Sequence, residues 1–501
     1  MTLTPPAVYD SLSGAKRPMP LLHPGRVGLY VCGVTVYDYA HIGHARVYVF
    51  FDLVVRYLRS RGYDVTYVRN HTDIDDKIIA RAAEVGEEPL ALAARFIDAL
   101  QEDLASLAVG PPSVEPRVST HIGEIVGMVE RLIARGHAYP VDGDVYFEVA
   151  TFEEYGKLSG QRLEEMRAGE RVAVDERKRH PSDFALWKAA KPGEQSWDSP
   201  WGPGRPGWHI ECSAMSATHL GPSFDVHGGG KDLTFPHHEN EIAQSECAHG
   251  QTYVGTWMHV GLVQVDGEKM SKSLGNFWTI RDVLARWHPE SLRLFLLSAH
   301  YRKPVSYSAH NLDLAQERVS YAYRTLAALR GLWRDVERPA PAHGALRARR
   351  EAWEAGLDDD FNTPVALALL SDSLRRANEL LATKKLSRRP DVLAELAALD
   401  VFLHEIAAVL GVLGGEPESA LEALRLSSAA RRGVEPAWVE EQVAARRAAR
   451  DARDWAEADA IRQRLAAHGV DVMDTPEGTT WLVRLIEGEL DGDEAADADS
   501  P

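Results

Sequence analysis

RVGLYVCGVTVYDYAHIGHARVYVFFDLVVRYLRSRGYDVTYVRN, residues 26–70, carries the alternation on which the fold turns. RVGLYVC (26–32) is a short apolar run closed by Gly33, the pattern of a strand buried on both faces. From Ala40 to Arg61 apolar residues recur at helical spacing, and RGY (61–63) stops them. DVTYVRN (64–70) reads as a second strand. Strand, loop, helix and strand in that order make a βαβ unit and hence a parallel sheet. Ligands of such sheets sit beyond the carboxyl ends of the strands. Cys32 and the loop GVTVYDYAHIGH (33–44) lie at that end.

Outward from this unit, residues 116–205 read as an insertion. DGDVYFEV (142–149) suits a hairpin strand there, and KPGEQSWDSPWGPGRPG (191–207) is irregular. The α/β domain, begun over 1–115, resumes over 206–265. SFDVHGGG (223–230) is a strand-to-loop junction, and TYVGTWMHVGLVQVDG (252–267) reads as a strand pair. A glycine-flanked loop region follows over 266–315. Segments 310–337, 344–357, 363–384 and 389–412 carry apolar residues at three-and-four spacing, so 316–415 is expected to be a helical bundle. GVLGGEPES (411–419) breaks it, and 416–435 reads as a linker, partly loose over 417–434. Residues 435–469 are helical in pattern and 470–485 suit a β-hairpin, giving a small mixed domain over 436–486. EGELDGDEAADADSP (487–501) reads as a disordered acidic tail. No internal repeat is present.

The composition is that of an ordinary globular chain: 501 residues, 45% apolar, 26% charged. No apolar run is long enough to span a membrane. The N-terminus MTLTPPAVYD lacks a basic-then-apolar signal pattern, so a cytoplasmic address is expected. Net charge is −18, of which the tail contributes −7, so any nucleic-acid surface must be local. Cys32, Cys212 and Cys247 are too few and odd in number for a disulfide framework, which leaves thiols for metal or catalysis.

Three constellations carry chemistry. FPHHENEIAQSECAHG (235–250) sets His237 and Glu241 four apart, on one face of a helix, with His238 and Glu239 directed elsewhere. An imidazole and a carboxylate are half of a zinc shell, which two thiolates at the sheet's carboxyl edge, Cys32 and Cys212, would complete. On spacing alone the favoured reading, by about two to one, is a solvated His/Glu pair and two small buried thiols. Cys247 is expected merely to pack against the sheet. HIGH (41–44) opens the first helix, whose N-terminal N–H groups and two imidazoles suit phosphate, with Gly43 allowing close approach. The alternative is a capping pair. GEKMSKSLGN (267–276) places Lys269 and Lys272 on a loop where they could neutralise a departing pyrophosphate, or simply be solvated.

HIGH after a first strand, with KMSKS more than 200 residues later, resembles the signature pair of class I aminoacyl-tRNA synthetases. The flanking YVCGVTVYDYAHIGHAR, NHTDIDDKI, DFALWKAAKPGEQSWDSPWGPGRPGWHIECSAM, HGGGKDLTFPHHENEIAQSE, LDDDFNTP and RDWAEADAIRQRL narrow the resemblance to the cysteinyl-tRNA synthetases, over about residues 7–485. The resemblance implies an α/β, Rossmann-like catalytic domain with an insertion, then a tRNA-binding helical bundle and a small anticodon-binding domain. It implies zinc on Cys32, Cys212, His237 and Glu241, with the second histidine not a ligand. A metal that takes the substrate thiol would reject serine without an editing site. It further implies that His41, Gly43 and His44 meet the phosphates of ATP, which magnesium accompanies. Lys269 and Lys272 would close over the phosphates, Gly228, Gly229 and Gly230 let the nucleotide approach, and Asp232 grips its ribose. Gly33, Thr72, Trp208 and His227 would border L-cysteine. Arg450, Trp455, Asp459 and Asp474 are the implied anticodon readers, with tRNA(Cys) as partner and a monomeric chain. A paralogous ligase joining cysteine to an amino sugar would share zinc, HIGH and KMSKS but has no use for 436–486. A silent RNA-binding zinc protein would not need HIGH and KMSKS intact.

Overall fold

The computed structural model describes residues 3–161, 176–265, 268–269, 276–475 and 478–483. The acidic tail and Lys272 lie outside the described residues, and of Lys269 only the backbone is described. The chain divides into two compact units. The first comprises Met1–Val263, Leu297–Val305 and Glu351–Leu367, and the second comprises Gln264–Leu296, Ser306–Arg350 and Ala368–Pro501.

The first unit starts with an antiparallel pair, β1 (Ala7–Asp10) and β2 (Ala15–Pro18). The expected βαβ unit follows as β3 (Arg26–Val31), α1 (Ile42–Ser60) and β4 (Asp64–Arg69), with β3 and β4 parallel. α1 is apolar on nearly every side because it is buried nearly all round, from Ile42 to Leu58. Gly62 ends it at φ +90°, a left-handed turn that a side chain would resist. α2 (Asp76–Val85) and α3 (Pro89–Ser106) pack together, and α3 opens with proline at its first position, where no N–H is missed. The insertion holds α4 (Ile122–Ala134) and an antiparallel sheet of β5 (Ala138–Val141), β6 (Asp144–Phe147), β7 (Phe184–Ala189) and β8 (Gly204–Pro206). α5 (Trp208–Leu220), β9 (Phe224–Gly230), α6 (Glu239–His249) and β10 (Val254–Val260) complete the main sheet, all parallel, in the order β10-β9-β3-β4.

The strand pair expected over 252–267 is corrected: its two strands belong to different sheets. β10 lies beside β9, whereas β11 (Val263–Val265) joins β12 (Glu268–Lys269) and β13 (Val305–Tyr307). The chain leaves the main sheet at Gly261, whose N–H donates to the Tyr301 carbonyl and whose missing Cβ would lie 2.5 Å from the Lys303 oxygen. The LDDDFNTP segment is tied into the first unit by its acids. Asp358 accepts from Tyr57 and Arg61, and Asp360 accepts from the Tyr9 N–H, Tyr301 and Arg302.

The second unit is mainly helical: α7 (Ile280–Leu284), α8 (Pro289–Leu297), α9 (Ala309–Asp335), α10 (His343–Asp358), α11 (Thr363–Leu381) and α12 (Pro390–Leu410), with α8, α10 and α11 each lending some residues to the first unit. The stretch expected to be loose is instead α13 (Pro417–Arg431). Pro417 sits at its first position, Glu418 in its first turn, and Ala420, Leu424 and Ala429 are buried at helical spacing. α14 (Pro436–Asp451) and α15 (Trp455–Ala467) are separated by a break in which Arg453 adopts φ +60° and Asp454 caps the next helix. β14 (Val470–Thr475) and β15 (Gly478–Val483) form the hairpin. Trp481, Val439, Val443, Ile461 and Leu465 make a separate core, to which α13 contributes Ala429. No described helix is long and apolar enough to cross a membrane.

Candidate metal centre and nucleotide site

The main sheet's carboxyl edge brings three distant segments together. Cys32 follows β3, Cys212 stands in the second turn of α5, and Glu241 stands in the first turn of α6. His237 belongs to a wide turn, Thr234–His238, that leads into α6 with Phe235 extended. The four are buried, and one ligand atom from each lies within 4.8 Å of the rest. The two sulfurs are 3.7 Å apart, Cys32 Sγ is 3.5 Å from Glu241 Oε1, and His237 Nε2 is 3.1 Å from the same oxygen. A tetrahedral zinc with sulfur at about 2.3 Å and oxygen at about 2.1 Å has S–S and S–O edges of about 3.8 and 3.6 Å. The donor set and its edges therefore fit zinc.

Electrostatics within the cluster are coupled. Burial pushes the Cys32 thiol up. Burial would push Cys212 up too, but the hydrogen bond it accepts from Cys32 and the one from His237 bring it to about 6. Burial opposes charge on His237, yet the Glu241 carboxylate and Cys212 raise it to about 10. Glu241 is held well below the usual carboxylate range by His227 and His237, against its burial. Tyr253 and His227 also bond Glu241 Oε2, at 3.2 and 2.8 Å. His237 Nδ1 faces His209 Nδ1 at 3.0 Å, which fixes the ring with Nε2 toward the cluster.

One expectation is corrected. His238 does not point elsewhere: its Nε2 lies 3.3 Å from Cys32 Sγ and 3.9 Å from Glu241 Oε1. With Cys32, His227 and Glu241 it makes a second group of close donor atoms. The wide turn before α6 causes this, because it swings two consecutive imidazoles to one side where a regular helix would spread them by about 100°. Glu239 does leave the cluster, accepting backbone N–H groups of Gly156, Leu158 and Ser159. Cys247 packs in the core below.

HIGH caps α1. His41 Nδ1 accepts from the Gly43 and His44 N–H groups, His44 Nδ1 accepts from the His41 N–H, and the two rings stack at 3.6 Å. A ring accepting at Nδ1 carries its proton on Nε2, so each imidazole presents a donor edge of the kind a phosphoryl oxygen needs. Burial and the neighbouring His41 and Lys77 keep His44 neutral.

The glycines have a local reason. A Cβ on Gly33 would lie 1.5 Å from the Asn70 carbonyl oxygen. One on Gly228 would strike the Phe51 ring at 2.1 Å, one on Gly229 the His238 ring at 2.8 Å, and one on Gly230 the Asp232 carboxylate at 2.5 Å. Trp208, 39% exposed, stacks on His237 at 4.4 Å. Thr72 is buried and donates to Glu211, and His227 is buried beneath Glu241. In the C-terminal module Asp474 accepts two bonds from Arg446, one from Arg450 and one from Thr479. Trp455, 60% exposed, and Asp459 stand one turn apart on α15. Sequence reasoning missed Arg446, Tyr253, His259 and Ser11, none of which lies in a spaced motif.

Residues 18–317 match the family described as tRNA synthetases class I (C) catalytic domain, 352–414 the DALR domain, and 435–481 the cysteinyl-tRNA ligase anticodon binding domain. The chain is 54% identical to a cysteine–tRNA ligase of Anaeromyxobacter dehalogenans (strain 2CP-C) over 482 residues, covering 95% of this chain and 99% of that one. It is 54% identical to a cysteine–tRNA ligase of Thioalkalivibrio sulfidiphilus over 475 residues, with the same coverage. The structure of Mycobacterium tuberculosis methionyl-tRNA synthetase in complex with methionyl-adenylate superposes with a TM-score of 0.59 at 19% identity, covering 82% of this chain and 94% of that one, a likeness of fold. With a matched catalytic domain, a matched anticodon domain and near full-length relatives, the chain belongs to the cysteine–tRNA ligases among the class I aminoacyl-tRNA synthetases.

Proposed function

We propose that the chain activates L-cysteine with ATP and passes it to the 3′-terminal ribose of tRNA(Cys), as a monomer in the cytoplasm. The convergence of Cys32, Cys212, His237 and Glu241 on one buried point carries the reading. Zinc held there would supply a borderline-soft Lewis acid that distinguishes a thiol from a hydroxyl. Trp208 and Thr72 border the amino acid beside this point. His227 acts one step back, by orienting Glu241.

In the first step the cysteine carboxylate attacks the α-phosphorus of ATP, the bond to the bridging oxygen breaks, and pyrophosphate leaves; magnesium carried in with ATP would offset its charge. His41 and His44 donate from Nε2 to phosphoryl oxygens as charge builds. Lys269 and Lys272 neutralise the leaving pyrophosphate, and Asp232 holds the ribose. In the second step a terminal ribose hydroxyl attacks the adenylate carbonyl and AMP leaves. Arg450, Trp455, Asp459 and Asp474 meet the anticodon, whose unpaired bases are read by stacking and edge hydrogen bonds.

Charging purified tRNA pools with labelled cysteine and serine, with zinc measured in parallel, tests the reading. Cysteine transferred to tRNA and not to an amino sugar is expected, with about one zinc per chain. Equal charging with serine would refute metal selection. Lys272→Ala is expected to slow adenylate formation with little change in cysteine binding, and an unchanged rate of pyrophosphate exchange would remove its role.

A further inference from the structure

Behind the metal centre a file of hydrogen bonds leaves Cys32. His238 Nε2 lies 3.3 Å from Cys32 Sγ, and His238 Nδ1 lies 2.8 Å from His259 Nε2. His259 Nδ1 lies 2.8 Å from Ser11 Oγ, and the Ser11 backbone N–H is anchored on the Trp257 carbonyl at 3.0 Å. The seat is built for these rings. Gly229 has no Cβ where the His238 ring sits, and the Trp257 indole lies beside both imidazoles.

We propose that Ser11, His259 and His238 form a one-way hydrogen-bonded chain that keeps an N–H pointed at the metal-bound sulfur of Cys32. The inference rests on the metal reading above. A metal-bound thiolate only accepts, so His238 Nε2 must donate to it. His238 Nδ1 then accepts from His259 Nε2–H, His259 Nδ1 is left to accept, and the Ser11 hydroxyl donates. Two ring nitrogens 2.8 Å apart cannot both carry a proton, so His238 Nδ1 and His259 Nε2 share a single N–H between them. A hydrogen bond to a thiolate draws charge from the sulfur and fixes its direction, which tunes both affinity for the metal and its acidity. His238, His259 and Ser11 are positioning residues, acting through Cys32.

The test uses the full chain, stripped of metal with a chelator. It is reloaded with Zn2+ against a chromophoric competitor, and with Co2+ to follow the sulfur-to-metal charge-transfer band. His259→Phe is expected to weaken zinc binding by about 10-fold, the low end for a residue that supports a ligand. Ser11→Ala should weaken it by about 3-fold, the loss of one net hydrogen bond. The charge-transfer band should shift in the same order, with one metal per chain throughout, and Ser11→Thr should restore both readings. Unchanged affinity and an unchanged band in Ser11→Ala and His259→Phe, with wild type binding one zinc, would overturn the chain. A second metal equivalent lost in His259→Phe would also overturn it, by making His238 a ligand. A wild-type chain that takes up no zinc overturns the metal reading itself, a distinguishable result.

Discussion

Glu241 and Asp474 are each gripped by two basic side chains and a hydroxyl, yet their surroundings differ. Glu241 is fully buried, bonded by His227, His237 and Tyr253. Asp474 keeps 41% of its side chain in solvent while Arg446, Arg450 and Thr479 hold it. In a low-dielectric interior every such contact is strong and every missing partner is costly. At the surface water competes, and the pairs can be exchanged for another ligand at little expense of stability. The first arrangement suits a permanent inorganic ligand. The second suits a partner that arrives and departs.

The comparison breaks most sharply at Glu241. Glu241→Gln keeps the shape but strands two imidazoles, so stoichiometric zinc should disappear and the metal-free chain should lose about 3–5 kcal/mol, read by metal analysis and urea denaturation. Trp481→Ala removes the central ring of the C-terminal core and should cost about 3 kcal/mol there. Amide exchange should then rise over 436–483 while the main sheet stays protected. Glu115 adds a pH test. Burial would raise it, but the His71 hydrogen bond and the Arg69 charge hold it at about 2. The unfolded chain, near its ordinary 4.5, takes up the proton first. The stabilisation is therefore present above about 4.5 and lost as pH falls toward 2, so Glu115→Gln should flatten acid unfolding in that window. The smallest change is expected for Asp474→Asn: under about 1 kcal/mol of stability, with a raised KM for tRNA(Cys). A stability loss as large as that of Glu241→Gln would erase the contrast.

The two regions also differed in legibility. The βαβ unit could be read because apolar period and length agree over 26–70, whereas the convergence of Cys32, Cys212, His237 and Glu241 had only their chemically matched residue types to suggest it. His238 could not be placed, since its direction comes from the irregular turn at Thr234–His238. Ser11 and His259 lie 248 residues apart, and no local pattern joins them. The helix α13 was hidden because its glycine-rich approach and short apolar stripe look like a linker until the C-terminal core buries Ala429. Where the two strands of 252–267 part company depends on Gly261 meeting a distant backbone.

Gly33, Gly228 and Gly229 bear no reactive group, but each leaves the hollow that Asn70, Phe51 or His238 fills. Saturation mutagenesis would find these positions as intolerant as Cys32, Cys212, His237 and Glu241, and alanine would fail nearly as badly as tryptophan. Fitness maps of such a sheet edge would therefore score vacancy and reactivity alike, and only a graded series of side-chain sizes would tell them apart.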